Sequence, residues 1–293
     1  MNPRFNQIKN FLIHLRLHYQ FFILSGGYLL GALFVDEINQ TQFWLQFLNV
    51  HVLLFGGATA YNSWWDKDEG PIGGLKSPPK MNRWMWPASL ILQFTGLGWA
   101  LTVNWNYALI YGLSMLFFWL YSTPLARWKG KPILSLAAIG ISTGTNSFFL
   151  GFLAAGGYPI TFLEDFIAFG VACIVLSLYP ASQVYQREED QQRGDRTFAI
   201  RFGLKGVKWL FTILFIAGSI LITLGLSHVD EILARIFGNI TLIAFFLISF
   251  IIWKLEGKPQ EYGKVMKVKF FASFCFVMFI ISALVIRTLE GAL

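Results

Sequence analysis

Nine apolar runs divide this chain almost from end to end, near residues 19–35, 43–61, 84–103, 105–122, 133–153, 162–182, 207–226, 236–253 and 268–287. A helix that crosses a bilayer needs about 20 predominantly apolar residues. In hydrocarbon every backbone N–H and C=O must find its partner within the chain, which leaves the helix as the structure open to an isolated run of this kind. A water-soluble fold is excluded by composition. Only 13% of residues are charged, against roughly 25% in an ordinary soluble domain. The 30 Phe and 11 Trp would also overfill a soluble core, whereas lipid accepts such side chains on every helix face. The expected fold is all-α: a polytopic membrane protein with nine transmembrane helices in one bundle, forming a single membrane domain over residues 1–293.

The basic residues orient that bundle. The connections after the first, third, fifth and seventh runs are short and carry acidic or neutral residues, Asp36-Glu37, Asn104, Glu164-Asp165 and Asp230-Glu231, with Arg235 as their one cation. The N-terminus and the alternate connections hold 21 of the 23 Lys and Arg, leaving Arg235 and Arg287 outside. Cytoplasmic loops carry such an excess, so the N-terminus is expected in the cytoplasm and the C-terminus across the cell membrane. The net charge of +7 then follows from topology and attraction to an anionic leaflet. No nucleic-acid partner is implied, and no obligate protein partner is indicated. Residues 1–18, with Arg4, Lys9, Arg16, His14 and His18, read as a basic interfacial helix rather than a metal pair or a cleaved signal. Cys173 and Cys275 both fall in apolar runs and read as buried thiols.

Two loops on the basic side, about 62–83 and 183–206, carry chemistry. The first opens Tyr61-Asn62-Ser63-Trp64-Trp65-Asp66 and reaches Gly70; the second opens Tyr185-Gln186-Arg187-Glu188-Glu189-Asp190 and reaches Gly194. Both read Tyr, carboxamide, three residues, Asp, three residues, Gly, and they lie 124 positions apart. A step of four puts the amide and the carboxylate on one helical face, one turn apart. Each copy therefore offers a stack of oxygen ligands of the kind Mg²⁺ prefers, together with substrate phosphates. An isolated acidic cluster at a helix end is ordinarily just solvated. Repetition at two spans on one membrane side points instead to two half-sites facing each other. The candidate metal ligands are Asn62, Asp66, Gln186 and Asp190, with Asp68 and Glu189 as lesser candidates. Lys76, Lys80 and Arg83 follow the first copy, and Tyr121-Ser122-Thr123-Pro124 with Arg127, Lys129 and Lys131 closes the fourth run. These cations match a phosphate, although any cytoplasmic loop is rich in them.

In these features the chain resembles the UbiA superfamily of intramembrane prenyltransferases, whose members have nine helices and Asp-rich motifs after helices two and six. Asn62 and Asp66 match the first motif at two positions, while Ser63 and Gly70 stand where that family has Asp. Asp190, Gly194 and Thr197, followed by Phe198-Ala199-Ile200-Arg201-Phe202-Gly203, are similar to the second, with Gln186 in place of its first Asp. Tyr121-Ser122-x-Pro124 with Lys129 resembles a third signature after helix four.

The resemblance implies Mg²⁺-dependent transfer of a polyprenyl group from a prenyl diphosphate to a lipophilic, aromatic acceptor at the cytoplasmic membrane boundary. Asp66, Asp190 and Lys129 would be catalytic, and Asn62, Lys76, Tyr121, Arg127 and Lys129 would hold the diphosphate. Tyr61, Tyr121 and Tyr185 are candidates to shelter an allylic cation. Two other readings remain open on the same residues: a membrane terpene cyclase, and a non-enzymatic protein that binds lipid or cations.

Overall fold

A computed structural model describes residues 3–67 and 70–290, and all of its regular structure there is helical. Asp68 and Glu69 lie outside the described residues. The elements are α1 (Pro3–His14), α2 (17–32), α3 (Gln40–Asp66), α4 (Met85–Ala100), α5 (Trp105–Ser122), α6 (Pro132–Ala155), α7 (Phe162–Val184), a short α8 (Arg187–Gln192), α9 (Phe198–Ser227), α10 (Glu231–Ile252) and α11 (Tyr262–Glu290).

Among the described residues, six of these helices, α3, α6, α7, α9, α10 and α11, are long and apolar enough to cross a membrane. The other three expected spans are helical at α2, α4 and α5. Two of them, α2 and α4, are too short for that criterion, with α4 having only 16 residues. The expected interfacial helix also ends earlier than its composition implies. It stops at His14, and Arg16 takes a left-handed backbone (φ 49°) before α2 begins. His14 and His18 then hydrogen-bond the carbonyls of Pro79 and Gly74, tying the N-terminal segment to the loop after α3.

Helix starts at the end of the bundle poor in basic residues are capped by side chains. Asn39, Asn104, Thr161 and Asp230 accept from the backbone N–H groups of Gln42, Tyr107, Leu163 and Leu233. Such caps satisfy donors that a helix start leaves without partners, which lets these reversals be short and almost free of cations. Laterally, α7 and α9 approach closely enough that a Cβ on Gly218 would stand 2.7 Å from the Gly170 carbonyl oxygen. Small residues permit this backbone contact where lipid supplies no hydrophobic drive between helices. The outer face of α10 exposes Ile236, Ile243, Phe246 and Phe250, as a lipid-facing helix does.

Three helices are locally underwound and widened into π-helical turns, at Gln20–Leu24, Asn49–Gly56 and Gly140–Thr145. Each inserts an extra residue into its turn and re-aims side chains, a device frequent at functional sites. Ile23, Phe55 and Thr143 from these turns line one cavity of about 1230 Å³, which reaches the basic end of the bundle.

Candidate active site at the basic end of the bundle

Both Asp motifs reach that cavity. Asn62 and Asp66 lie in the last turns of α3, with the helix terminating at Lys67 in a left-handed conformation (φ 51°). Gln186 and Asp190 flank the start of α8, where the Asp190 N–H donates to the Gln186 carbonyl at 2.9 Å. The one-turn stacking read from the four-residue step is thus present in both copies, and all four side chains line the cavity.

The amides are oriented by their other contacts. Asn62 Nδ2 donates to Ser122 Oγ at 3.1 Å, and Gln186 Nε2 donates to the Pro71 carbonyl at 3.1 Å. With each nitrogen so engaged, the amide oxygen is the atom left to act as a ligand.

Lys129 joins the halves. It is buried, forms an ion pair with Asp66, and pulls the Asp190 carboxyl down against a stronger upward push from burial. Burial wins, and Asp190 is held at about 7, far above an ordinary carboxylate.

The position of Lys129 depends on a clamp that composition could not reveal. Its three-residue 3₁₀ turn, Trp128–Gly130, follows Arg127, which is left-handed at φ 42°. Arg127 grips Asp195 with two parallel bonds, Nε to Oδ1 at 2.7 Å and Nη2 to Oδ2 at 2.8 Å. The Arg196 N–H adds a bond to the Gly130 carbonyl at 2.9 Å. The paired carboxylate keeps the Arg127 guanidinium pKa above its usual value.

Other expected residues are placed differently. Lys76 is exposed and does not line the cavity, and Arg127 itself is committed to Asp195 at the cavity's edge. Glu189 pairs with Arg193 at 2.5 Å and likewise lies off the lining, whereas Arg193 is on it. Asp68 falls outside the described residues. Tyr121 and Tyr185 line the cavity, but Tyr61 does not, its hydroxyl meeting Thr123 Oγ1 at 2.8 Å. Sequence reasoning gave no site role to Tyr179, whose hydroxyl meets that of Tyr121 at 3.0 Å, or to Arg16 and Lys269, and counted Asp195 only as a carboxylate out of register with the second motif; all four are on the lining. Asp195 stands beside Gly194 in the second motif, and that adjacency was the available signal for it.

Among the described residues no group of three or more His, Cys, Asp or Glu side chains gathers to hold a metal. Two carboxylates and two amide oxygens around one cavity end do fit a hard cation that takes one or two protein carboxylates and completes its shell with phosphate and water.

Beyond this polar end the cavity wall is apolar, with Phe118, Ile174, Phe215, Ile222, Phe237 and Phe276 among its residues. A sequence model of the UbiA prenyltransferase family matches residues 21–274. The chain belongs to that family. No curated protein matches it. Among solved structures, a UbiA homolog from Archaeoglobus fulgidus bound to GPP and Mg²⁺ superposes with a TM-score of 0.69 at 15% identity, covering 92% of this chain and 99% of that one. The same homolog bound to DMAPP and Mg²⁺ gives the same TM-score, identity and coverage. A structure described as digeranylgeranylglyceryl phosphate synthase in membranes has a TM-score of 0.63 at 21% identity, covering 94% and 98%. At these identities the likeness is one of fold, and this UbiA-family chain shares it over nearly its whole length.

Proposed function

We propose that this protein transfers a polyprenyl group from its diphosphate to a lipophilic acceptor in a Mg²⁺-dependent reaction at the cytoplasmic membrane boundary. One observation carries the reading: both carboxamide–Asp pairs and Lys129 share the polar end of a single cavity whose remaining wall is apolar and large enough for an isoprenoid chain. The family membership and the prenyl diphosphates and Mg²⁺ named for the Archaeoglobus fulgidus structures support it.

In this reading Asn62, Asp66, Gln186 and Asp190 hold the metal. When bound there, Mg²⁺ neutralises charge on the diphosphate as it departs. The Lys129 ammonium binds the same oxygens, and its clamp by Arg127 and Asp195 holds it ready where charge develops. The allylic C–O bond breaks with its electron pair leaving on the diphosphate. The acceptor nucleophile then bonds the allylic carbon and releases a proton. Tyr121 and Tyr179 line the cavity beside the polar end, where their ring faces can stabilise the intervening cation. The apolar wall seats the tail and excludes water that would quench it.

The deciding experiment incubates purified protein with Mg²⁺, a labelled prenyl diphosphate and membrane lipid extract, then identifies the labelled product by mass. A prenyl group joined to a second molecule supports transfer. A cyclised hydrocarbon with no acceptor assigns the cavity to terpene cyclisation instead.

A further inference from the structure

The first helix, α1, has an apolar face that the bundle does not cover. Phe11 is buried against α3 and α4, where Ala60 and Met85 complete a small core. Phe5, Ile8 and Leu12 are instead 60%, 52% and 54% exposed. Steps of three and four put these side chains on one helical face. Lys9 is exposed beside that stripe.

The loop after α3 lies against this helix. Residues 70–83 contain no helix and one isolated bridge, between Ile72 and Leu75, so their placement rests on side chains from elsewhere. His14 and His18 hydrogen-bond the Pro79 and Gly74 carbonyls at 2.7 and 3.0 Å. Trp84 Nε1 donates to Gln7 Oε1 at 3.1 Å, and its ring meets that of Phe11 with centroids 5.3 Å apart. On the other side Gln186 and Tyr262 donate to the Pro71 and Ile72 carbonyls. Ile72 and Gly73 line the cavity. Whatever holds α1 in place therefore also holds part of the cavity wall.

Charge identifies what covers the stripe. Residues 3–18 and 70–84 contain Arg4, Lys9, Arg16, Lys76, Lys80 and Arg83 and no Asp or Glu. Lys9, Lys80 and Arg83 are exposed. A basic face with an apolar stripe matches an anionic lipid surface, where apolar side chains enter the acyl boundary and cations meet headgroup phosphates. We propose that α1 and the loop after α3 form a strap that docks on anionic phospholipid of the adjoining leaflet and so holds residues 70–79 against the cavity. Phe5, Ile8 and Leu12 enter the acyl layer, and Lys9, Lys80 and Arg83 take the phosphates. Composition alone gives an interfacial helix; the two histidine bonds give the lipid a route to the cavity wall.

The test uses the full chain in phosphatidylcholine nanodiscs with and without phosphatidylglycerol. A bimane on Ile8→Cys, in a variant lacking Cys173 and Cys275, should be quenched by brominated acyl chains, most strongly with phosphatidylglycerol. The same label on Asn6→Cys, exposed and pointing away from the stripe, should not be. Amide hydrogen exchange at Ile72 and Leu75, which bond each other, reports the loop. Phosphatidylglycerol should slow it, and Lys9→Gln should restore about fivefold of the rate, in phosphatidylglycerol discs only. His18→Ala should speed exchange at Ile72 and Leu75 while position 8 stays quenched, which separates docking from coupling. An unquenched position 8, exchange indifferent to phosphatidylglycerol, or exchange indifferent to His18→Ala overturns the inference. A position 8 unquenched in nanodiscs yet shielded from labelling in native membranes would assign the face to a partner protein, also overturning it. Neither readout requires a prenyl diphosphate, so failure of the prenyl-transfer reading would leave both outcomes unchanged.

Discussion

Asp195→Ala tests whether the clamp sets the position of Lys129. The Asp195 side chain is 4% exposed and accepts two charge-assisted bonds from Arg127, whose own side chain is 27% exposed. Removing one partner of a buried ion pair costs about 3–5 kcal/mol. Here Arg127 keeps access to water, so a loss of about 2–3 kcal/mol is the better expectation. The loss falls on the turn 128–130, which then retains the Arg196 to Gly130 backbone bond as its tie to the second motif. Diphosphate affinity should fall because Lys129 samples more positions, and the fall cannot exceed what Lys129 itself contributes, roughly 1.5–3 kcal/mol or ten- to a hundredfold. The assay is Mg²⁺-dependent binding of labelled geranyl diphosphate to wild type, Asp195→Ala, Lys129→Met and the double variant. Positioning through Lys129 predicts non-additivity, with the double variant no weaker than Lys129→Met alone. Additive losses would refute it and make Asp195 an independent contributor.

Asp66→Asn and Asp190→Asn, which preserve shape while removing charge, should each weaken Mg²⁺-dependent diphosphate binding at least tenfold, with an unchanged size-exclusion profile; unchanged binding in both would remove these residues from the metal shell. Since burial holds the Asp190 carboxyl at about 7 in the free protein, binding a cation there displaces a proton below that pH. Mg²⁺ affinity should therefore fall by up to about tenfold per unit as pH drops below 7 and level off above it, and calorimetric titration from pH 6 to 8.5 in buffers of different ionisation heat would expose a pH-independent site. Single cysteines placed near Lys80, Lys131, Lys205 and Lys264 in a cysteine-free variant should all label from the cytoplasmic side; one labelled only from outside would break the alternating nine-span topology.

Local periodicity carried the fold class and half of the site. The four-residue step from Asn62 to Asp66, and from Gln186 to Asp190, survives because it lies within single helical turns, where the spacing of side chains is set by the helix itself. The alternation of basic and cation-poor connections was equally local, and it placed the chemistry at one end of the bundle. Charge and spacing alone could not tell Lys129 from Lys76, and only the family resemblance gave Lys129 a catalytic role. Both are loop cations near a motif, yet one is buried between two carboxylates and the other is exposed. That difference arises at backbone reversals such as Arg127, with its left-handed φ, and from Asp195, 68 residues away, that receives its side chain. Lys269 and Tyr19 are 250 residues apart and meet only because α11 packs beside α2. Charge, spacing and hydropathy act between neighbours along the chain, and so they determine helices, their orientation and the oxygen pairs on them. Which cation enters the cavity, and what it faces there, depends on contacts between distant segments, which exist only once the helices have packed.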